Sequence, residues 1–186
     1  MDSNLFRPKR KSYIEPGKIY FWTATINNWI KLLQHHEYKQ VITDSLIVLS
    51  DRGKIEVFAF VIMPNHIHLI WHINELNGKE TPHGSFLKYT AHQFKKMLAL
   101  HNCAMLNDFK VAASNKQYEF WQRDSLAIEL FSSEVAYQKL DYLHNNPLAE
   151  YWQLAIEPSG YLYSSASYYE GGDTPFHFLK DLREEF

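Results

Sequence analysis

The sequence predicts an α+β protein: a ferredoxin-like (split βαβ) antiparallel sheet with helices on it, plus an irregular C-terminal tail. Three observations predict it. Apolar positions alternate between strand and helix periodicity along the chain in the order β-α-β-β-α-β-α. Two long β-rich runs are separated by Pro64-Asn65 alone, which reads as an antiparallel hairpin. The composition, 46% hydrophobic and 22% charged with 7 glycines in 186 residues, is that of an ordinary globular chain and excludes low-complexity disorder.

The elements follow in order. Ile19 to Ile26 is aromatic and β-branched, a strand. Tyr38 to Leu49 places Val41, Ile42, Leu46 and Leu49 at helical spacing, and Asp51-Arg52-Gly53 stops the helix. Lys54 to Met63 and His66 to Ile73 form the hairpin. A second helix runs from about Gly84 to His101, with Phe86, Tyr89, Phe94, Met97 and Leu98 as core candidates. Tyr118 to Leu130 has strand character. Ser132 or Ser133 caps a last helix that Pro147 ends near Asn145. The rest is rich in aromatics and packs as a tail with one short helix.

In domain terms this gives a basic arm over residues 1–16, one core domain over 17–147, and a tail over 148–186 packed on the same domain. The arm carries Arg7, Lys9, Arg10 and Lys11. Residues 1–100 hold 13 Lys and Arg against 8 Asp and Glu, while residues 101–186 hold 6 against 13. A face that binds a polyanion is therefore expected in the first half. The single cysteine, Cys103, excludes a disulfide framework and a cysteine-based zinc site. The most apolar stretch, Val57 to Ile73, is broken by Pro64, Asn65 and three histidines, which excludes a membrane span. The start, Met1-Asp2-Ser3-Asn4, lacks an apolar signal region, so a cytoplasmic location is expected.

His66-Ile67-His68 is the sharpest local feature. On a strand, residues i and i+2 share a face, so both imidazoles project together, with Ile70 and His72 continuing that face. Ile67, Leu69, Trp71 and Ile73 form the opposite, core-facing side. Two imidazoles on one face suit a metal ion, and they equally suit a pair of hydrogen-bonded histidines in a half-buried sheet. On the last helix Ala136, Leu140 and Leu143 form the apolar stripe, and Tyr142 lies roughly 130° from its centre, beside Val135, Lys139 and Asn146. Asn146, at i+4 from Tyr142, offers an amide oxygen next to it. Spacing alone leaves Tyr142 open to a packing role, since the chain has 12 tyrosines. On the second helix Lys88, Lys95 and Lys96 flank His92. With Arg7, Lys9, Arg10 and Lys11 they suit DNA phosphates, while Tyr89 suits an unpaired base. A merely solvated helix face and arm fit those residues as well.

Phe60-Val-Ile-Met-Pro-Asn-His-Ile-His-Leu69, followed by Leu140-Asp-Tyr-Leu-His-Asn-Asn-Pro147, resembles the single-tyrosine HUH transposases. The branch it is most similar to is that of the REP-associated tyrosine transposases, relatives of the insertion-sequence 200/605 group. Phe120-Trp-Gln-Arg123 and Tyr161-Leu-Tyr-Ser-Ser-Ala-Ser-Tyr168 add to a likeness that spans roughly residues 17–170. The resemblance implies that His66 and His68 are metal ligands, that Tyr142 is the nucleophile, and that Asn146 helps hold the metal. It implies Mg²⁺ or Mn²⁺ as cofactor and single-stranded or hairpin DNA as partner. The implied reaction cleaves the strand through a 5′-phosphotyrosine link and rejoins it, in a bacterial cytoplasm, by a monomer or homodimer. Such a reaction conserves the phosphodiester energy, and the sequence has no phosphate-cradling Gly-Lys loop for a nucleotide. Two other classes stay open: a catalytically silent module that binds hairpin nucleic acid, and a hydrolase in which the histidines hold a metal that activates water. The hydrolase is disfavoured because no Asp or Glu accompanies the histidines on their strand.

Overall fold

The computed structural model describes residues 14–186; the basic residues Arg7, Lys9, Arg10 and Lys11 lie outside them. Four strands build the sheet: β1 (Ile19–Thr25), β2 (Ile55–Ile62), β3 (His66–Ile73) and, after a small hairpin of β4 (Lys110–Ala113) and β5 (Lys116–Tyr118), β6 (Leu126–Glu129). Their spatial order is β2-β3-β1-β6, and every neighbouring pair is antiparallel. Since β3 runs against both β1 and β2, those two are parallel to each other with β3 inserted between them. This is the expected split βαβ arrangement.

The helices are α1 (His36–Asp51), α2 (Pro82–His101), α3 (Cys103–Asn107), α4 (Ser133–Asn145) and α5 (Ala166–Tyr169). The alternation of β1 and β3 sorts the side chains into two layers. On one face Trp22 and Trp71 stack at 4.9 Å between ring centroids, and Phe86 of α2 meets both edge-on. Tyr38 of α1 packs on Phe94 of α2 above them. Each of these rings removes some 150–250 Å² of surface from water, so this layer is the main core. The other face carries Phe21, His66, His68 and Ile70, and α4 lies across it, packed against β2 and β3. No helix among the described residues is long and apolar enough to cross a membrane.

The structure departs from the sequence reading in one place. Tyr118–Leu130 is not one strand. Trp121 makes an isolated bridge to Ile26, Asp124 turns the chain at φ +64°, and β6 restarts two residues later. Aromatic content had suggested continuity, whereas the left-handed turn at Asp124 breaks the pleat. The tail, irregular as expected, adds no strand but lies along the free edge of β2 and makes isolated bridges to it. Ile62 N donates to Tyr163 O (2.9 Å), Ser165 N to Phe60 O (2.9 Å) and Lys180 N to Val57 O (3.0 Å). Tyr161 Oη donates to Ile62 O, and the buried Lys39 of α1 donates to Tyr161 Oη at 3.0 Å. β2 is apolar on both faces, so an uncovered edge would invite pairing with another chain.

Ser165 is the pin of that closure. Its hydroxyl accepts from Phe60 N (3.0 Å) and bonds Nε2 of His144 on α4 (2.8 Å), with no exposure to solvent. Ser165→Ala leaves both partners buried and unpaired, so we expect a loss of about 2 kcal/mol in urea unfolding. A midpoint unchanged from the natural protein would contradict this role.

Candidate active site

The site forms where α4 crosses β3. Pairing sets Thr23 opposite His68 and Thr25 opposite His66, on the face turned toward α4. Both histidines are buried, at 8% and 5% exposure, with ring centroids 4.8 Å apart.

Their protonation follows from their partners. Asn65, in the turn between β2 and β3, donates through Nδ2 to the carbonyl of Trp29 (3.3 Å). Its Oδ1, 2.7 Å from His66 Nδ1, must therefore accept, which puts the His66 proton on Nδ1 and a lone pair on Nε2. His68 Nδ1 lies 2.7 Å from the Thr23 hydroxyl, and Asn146 Nδ2 lies 3.5 Å from His68 Nε2. In this amide orientation the N–H meets a lone pair, which places the His68 proton on Nδ1, facing Thr23. Burial lowers the imidazole pKa to about 4 at His66 and to about 3 at His68, where the His66 and Lys139 charges lower it further. Both rings are therefore neutral at neutral pH, the form that ligates metals.

Helix α4 supplies the rest. Ser132 caps it by accepting from Val135 N, and Ala136, Leu140 and Leu143 bury its apolar stripe. Packing that stripe leaves Tyr142 51% exposed at the edge of the site, its ring 5.4 Å from His68 and 5.9 Å from Phe21. Phe21 itself stacks on His68 at 5.2 Å. Lys139, one turn before Tyr142, sets Nζ 5.3 Å from the Phe21 ring centre and 5.9 Å from that of Tyr142. Asn146, one turn after, is buried, and its Oδ1 has no hydrogen-bond partner among the described residues. His144 faces away, bonded to Ser165 and packed on Tyr169, and is structural.

Thus His66, His68, Tyr142 and Asn146 come together from distant parts of the chain. Lys88, Lys95 and Lys96 do not join them: they ride on α2, whose Phe86 packs on the opposite face of the sheet. Lys88 pairs with Glu80 at 2.6 Å, and Lys95 lies over the Tyr118 ring. Lys88 and Lys95 line a groove of about 630 Å³ with Tyr89, His92 and Tyr118. Sequence reasoning gave no role to Asn65, Thr23, Phe21 or Lys139. Asn65 stood in the quoted motif without a role, while the Thr23–His68 pairing depends on a strand register that no local pattern reveals.

Among the described residues, no three His, Cys, Asp or Glu are grouped to hold a metal. The candidate donor set is two imidazole nitrogens and the unpartnered amide oxygen of Asn146, which suits a divalent cation. Rotation of that amide exchanges its oxygen and nitrogen against the histidines.

Fold and site together define a ferredoxin-like domain with a paired-histidine strand facing a tyrosine helix. The chain is similar over 92% of its length to the structure of a REP-associated tyrosine transposase bound to a REP hairpin. The match covers 96% of that chain with a TM-score of 0.60 and 20% sequence identity, a likeness that establishes the shared fold. No protein-family model matches the chain, and no curated protein does.

Proposed function

We propose that the protein cleaves and rejoins single-stranded DNA next to hairpins, with Tyr142 as the nucleophile. The observation that carries this reading is the half-exposed Tyr142 ring set 5.4 Å from His68, on the face where both buried histidines meet Asn146. The structural likeness to a transposase bound to a DNA hairpin supports the same reading. His66, His68 and Asn146 would hold the divalent cation, Mg²⁺ or Mn²⁺. When bound, that ion polarises the scissile phosphate and offsets charge developing on it.

The chain's own residues do the remainder. Tyr142 Oη attacks phosphorus, forming the phosphotyrosine bond as the bond to the 3′-oxygen breaks. Its proton leaves to the solvent on its exposed side, and the departing 3′-oxygen takes up a proton. A neutral phenol is a weak nucleophile, and the Lys139 ammonium, 5.9 Å from the Tyr142 ring centre, adds positive charge beside it. Rejoining is the reverse attack by a 3′-hydroxyl. Tyr142 faces the histidines of its own chain, the arrangement a monomer needs.

Asn65 and Thr23 act as positioning residues, since they fix both imidazoles with Nε2 toward the site. Thr23→Val keeps the shape and removes the partner of His68 Nδ1. It should weaken Mn²⁺ binding about 10- to 100-fold by calorimetry, with thermal stability little changed. Unchanged affinity would assign Thr23 to packing alone.

The deciding experiment incubates the protein with labelled hairpin oligonucleotides and Mn²⁺ and reads a denaturing gel. A covalent protein–DNA band is expected. A metal-independent shift on a native gel without that band would favour a silent hairpin-binding module, and free 5′-phosphate ends would favour a hydrolase.

A further inference from the structure

The surface at the His66 end of the site has features that strand cleavage itself does not require. Asn28 and Trp29 adopt consecutive left-handed conformations, φ +55° and +58°. For a residue as bulky as tryptophan this conformation is strained and persists only where the surroundings impose it. Here Trp29 N donates to Ile26 O and Trp29 O accepts from Asn65. The strain leaves the Trp29 side chain 61% exposed, two residues before Lys31.

A second aromatic group reaches the same end from the other side of the chain. Directly after Asn146-Pro147, residues 149–154 form a tight turn held by Trp152 N to Ala149 O (2.8 Å) and Leu154 N to Pro147 O (2.9 Å). The turn sets the Trp152 ring 6.0 Å from His66 and Lys31 Nζ 5.6 Å above that ring. Tyr151 lies beside Trp152 at 5.3 Å and is 78% exposed. Among the described residues, Lys31 pairs with no carboxylate.

Flat aromatic faces in solvent beside an unpaired cation are the elements that hold a base and its phosphate in single-strand binding sites. They are rigidly tied to the candidate metal ligands, through Asn65 on one side and Pro147 on the other. We infer that Trp29, Lys31 and the Tyr151–Trp152 pair seat an unpaired nucleobase next to the phosphate that Tyr142 attacks. The inference rests on the proposed strand-cleavage function and adds to it the place where the flanking single strand is held.

The test uses Tyr142→Phe protein, so that nothing is cut, and a DNA hairpin with an oligothymidylate extension whose nucleotides are made abasic one at a time. Stacking tolerates any base, so a thymidylate tail suffices. One abasic position should weaken binding about 5- to 100-fold, and that penalty should vanish when Tyr151→Ala is added and return with Tyr151→Phe. Trp29→Ala should reduce the penalty at the same or an adjacent nucleotide. Binding without an abasic position coupled to Tyr151 or Trp29 would overturn the seat and leave the cleavage reading standing. No binding of tailed or untailed hairpin would overturn both.

Discussion

Tyr142→Phe should yield a protein that folds, binds hairpin DNA and forms no covalent product. The substitution removes one oxygen. The ring keeps its edge contacts with Phe21 and His68, and the position is half exposed, so stability should stay within about 0.5 kcal/mol of the natural protein. Loss of the nucleophile should cost about 10⁴-fold or more in adduct formation, the scale on which nucleophile deletions act. Other exposed tyrosines provide internal controls. Tyr89 lies on α2, across the sheet from the site, and Tyr137 makes no ring contact with either histidine, so Tyr89→Phe and Tyr137→Phe should form adducts normally. A covalent band that survives in Tyr142→Phe would remove Tyr142 from the chemistry.

Much of this site could be read in the sequence because its parts are local. His66 and His68 share a face by the two-residue period of a strand. Tyr142 and Asn146 share one by helical spacing, and Ser132 and Pro147 mark the ends of that helix. What could not be read is long-range. The register that brings Thr23 to His68 belongs to strands 45 residues apart in sequence. The strained Asn28–Trp29 turn has no glycine to announce it. The tail's closure of β2 depends on Tyr161, Tyr163 and Ser165 meeting backbone groups of Phe60 and Ile62, and aromatic content alone gave no sign of it. The lysines of α2 stand apart from this site: the sheet lies between that basic, aromatic helix face and Tyr142.

Acid should destabilise the protein well before its carboxylates are protonated. Three histidines are buried and neutral: His66 and His144 with pKa values pushed down to about 4, and His68 to about 3, burial being the largest cause in each. Asn65, Asn146 and Trp152 surround His66, and Thr23, Phe21, Lys139 and Tyr142 surround His68. None of these is an anion that would favour the imidazolium at neutral pH. Asp141 and Glu170 act on His144 but only partly offset its burial. In the unfolded chain each imidazole titrates near 6.5, so below that pH the unfolded state binds more protons than the folded one, and stability falls as pH falls. The loss begins near pH 6.5 and continues until the folded-state values of about 4 and 3 are reached. Each group contributes about 1.4 kcal/mol per pH unit, so the three together should cost about 4 kcal/mol at pH 5.5. Urea unfolding of chelator-treated protein at pH 7.5 and 5.5 measures this directly. His144→Gln should remove its own share of the pH dependence and leave the portion owed to the site and to His83, whose pKa burial also lowers. A midpoint that is flat between those pH values would mean that the histidines are open to water, and the closed face beneath α4 would have to be abandoned with them.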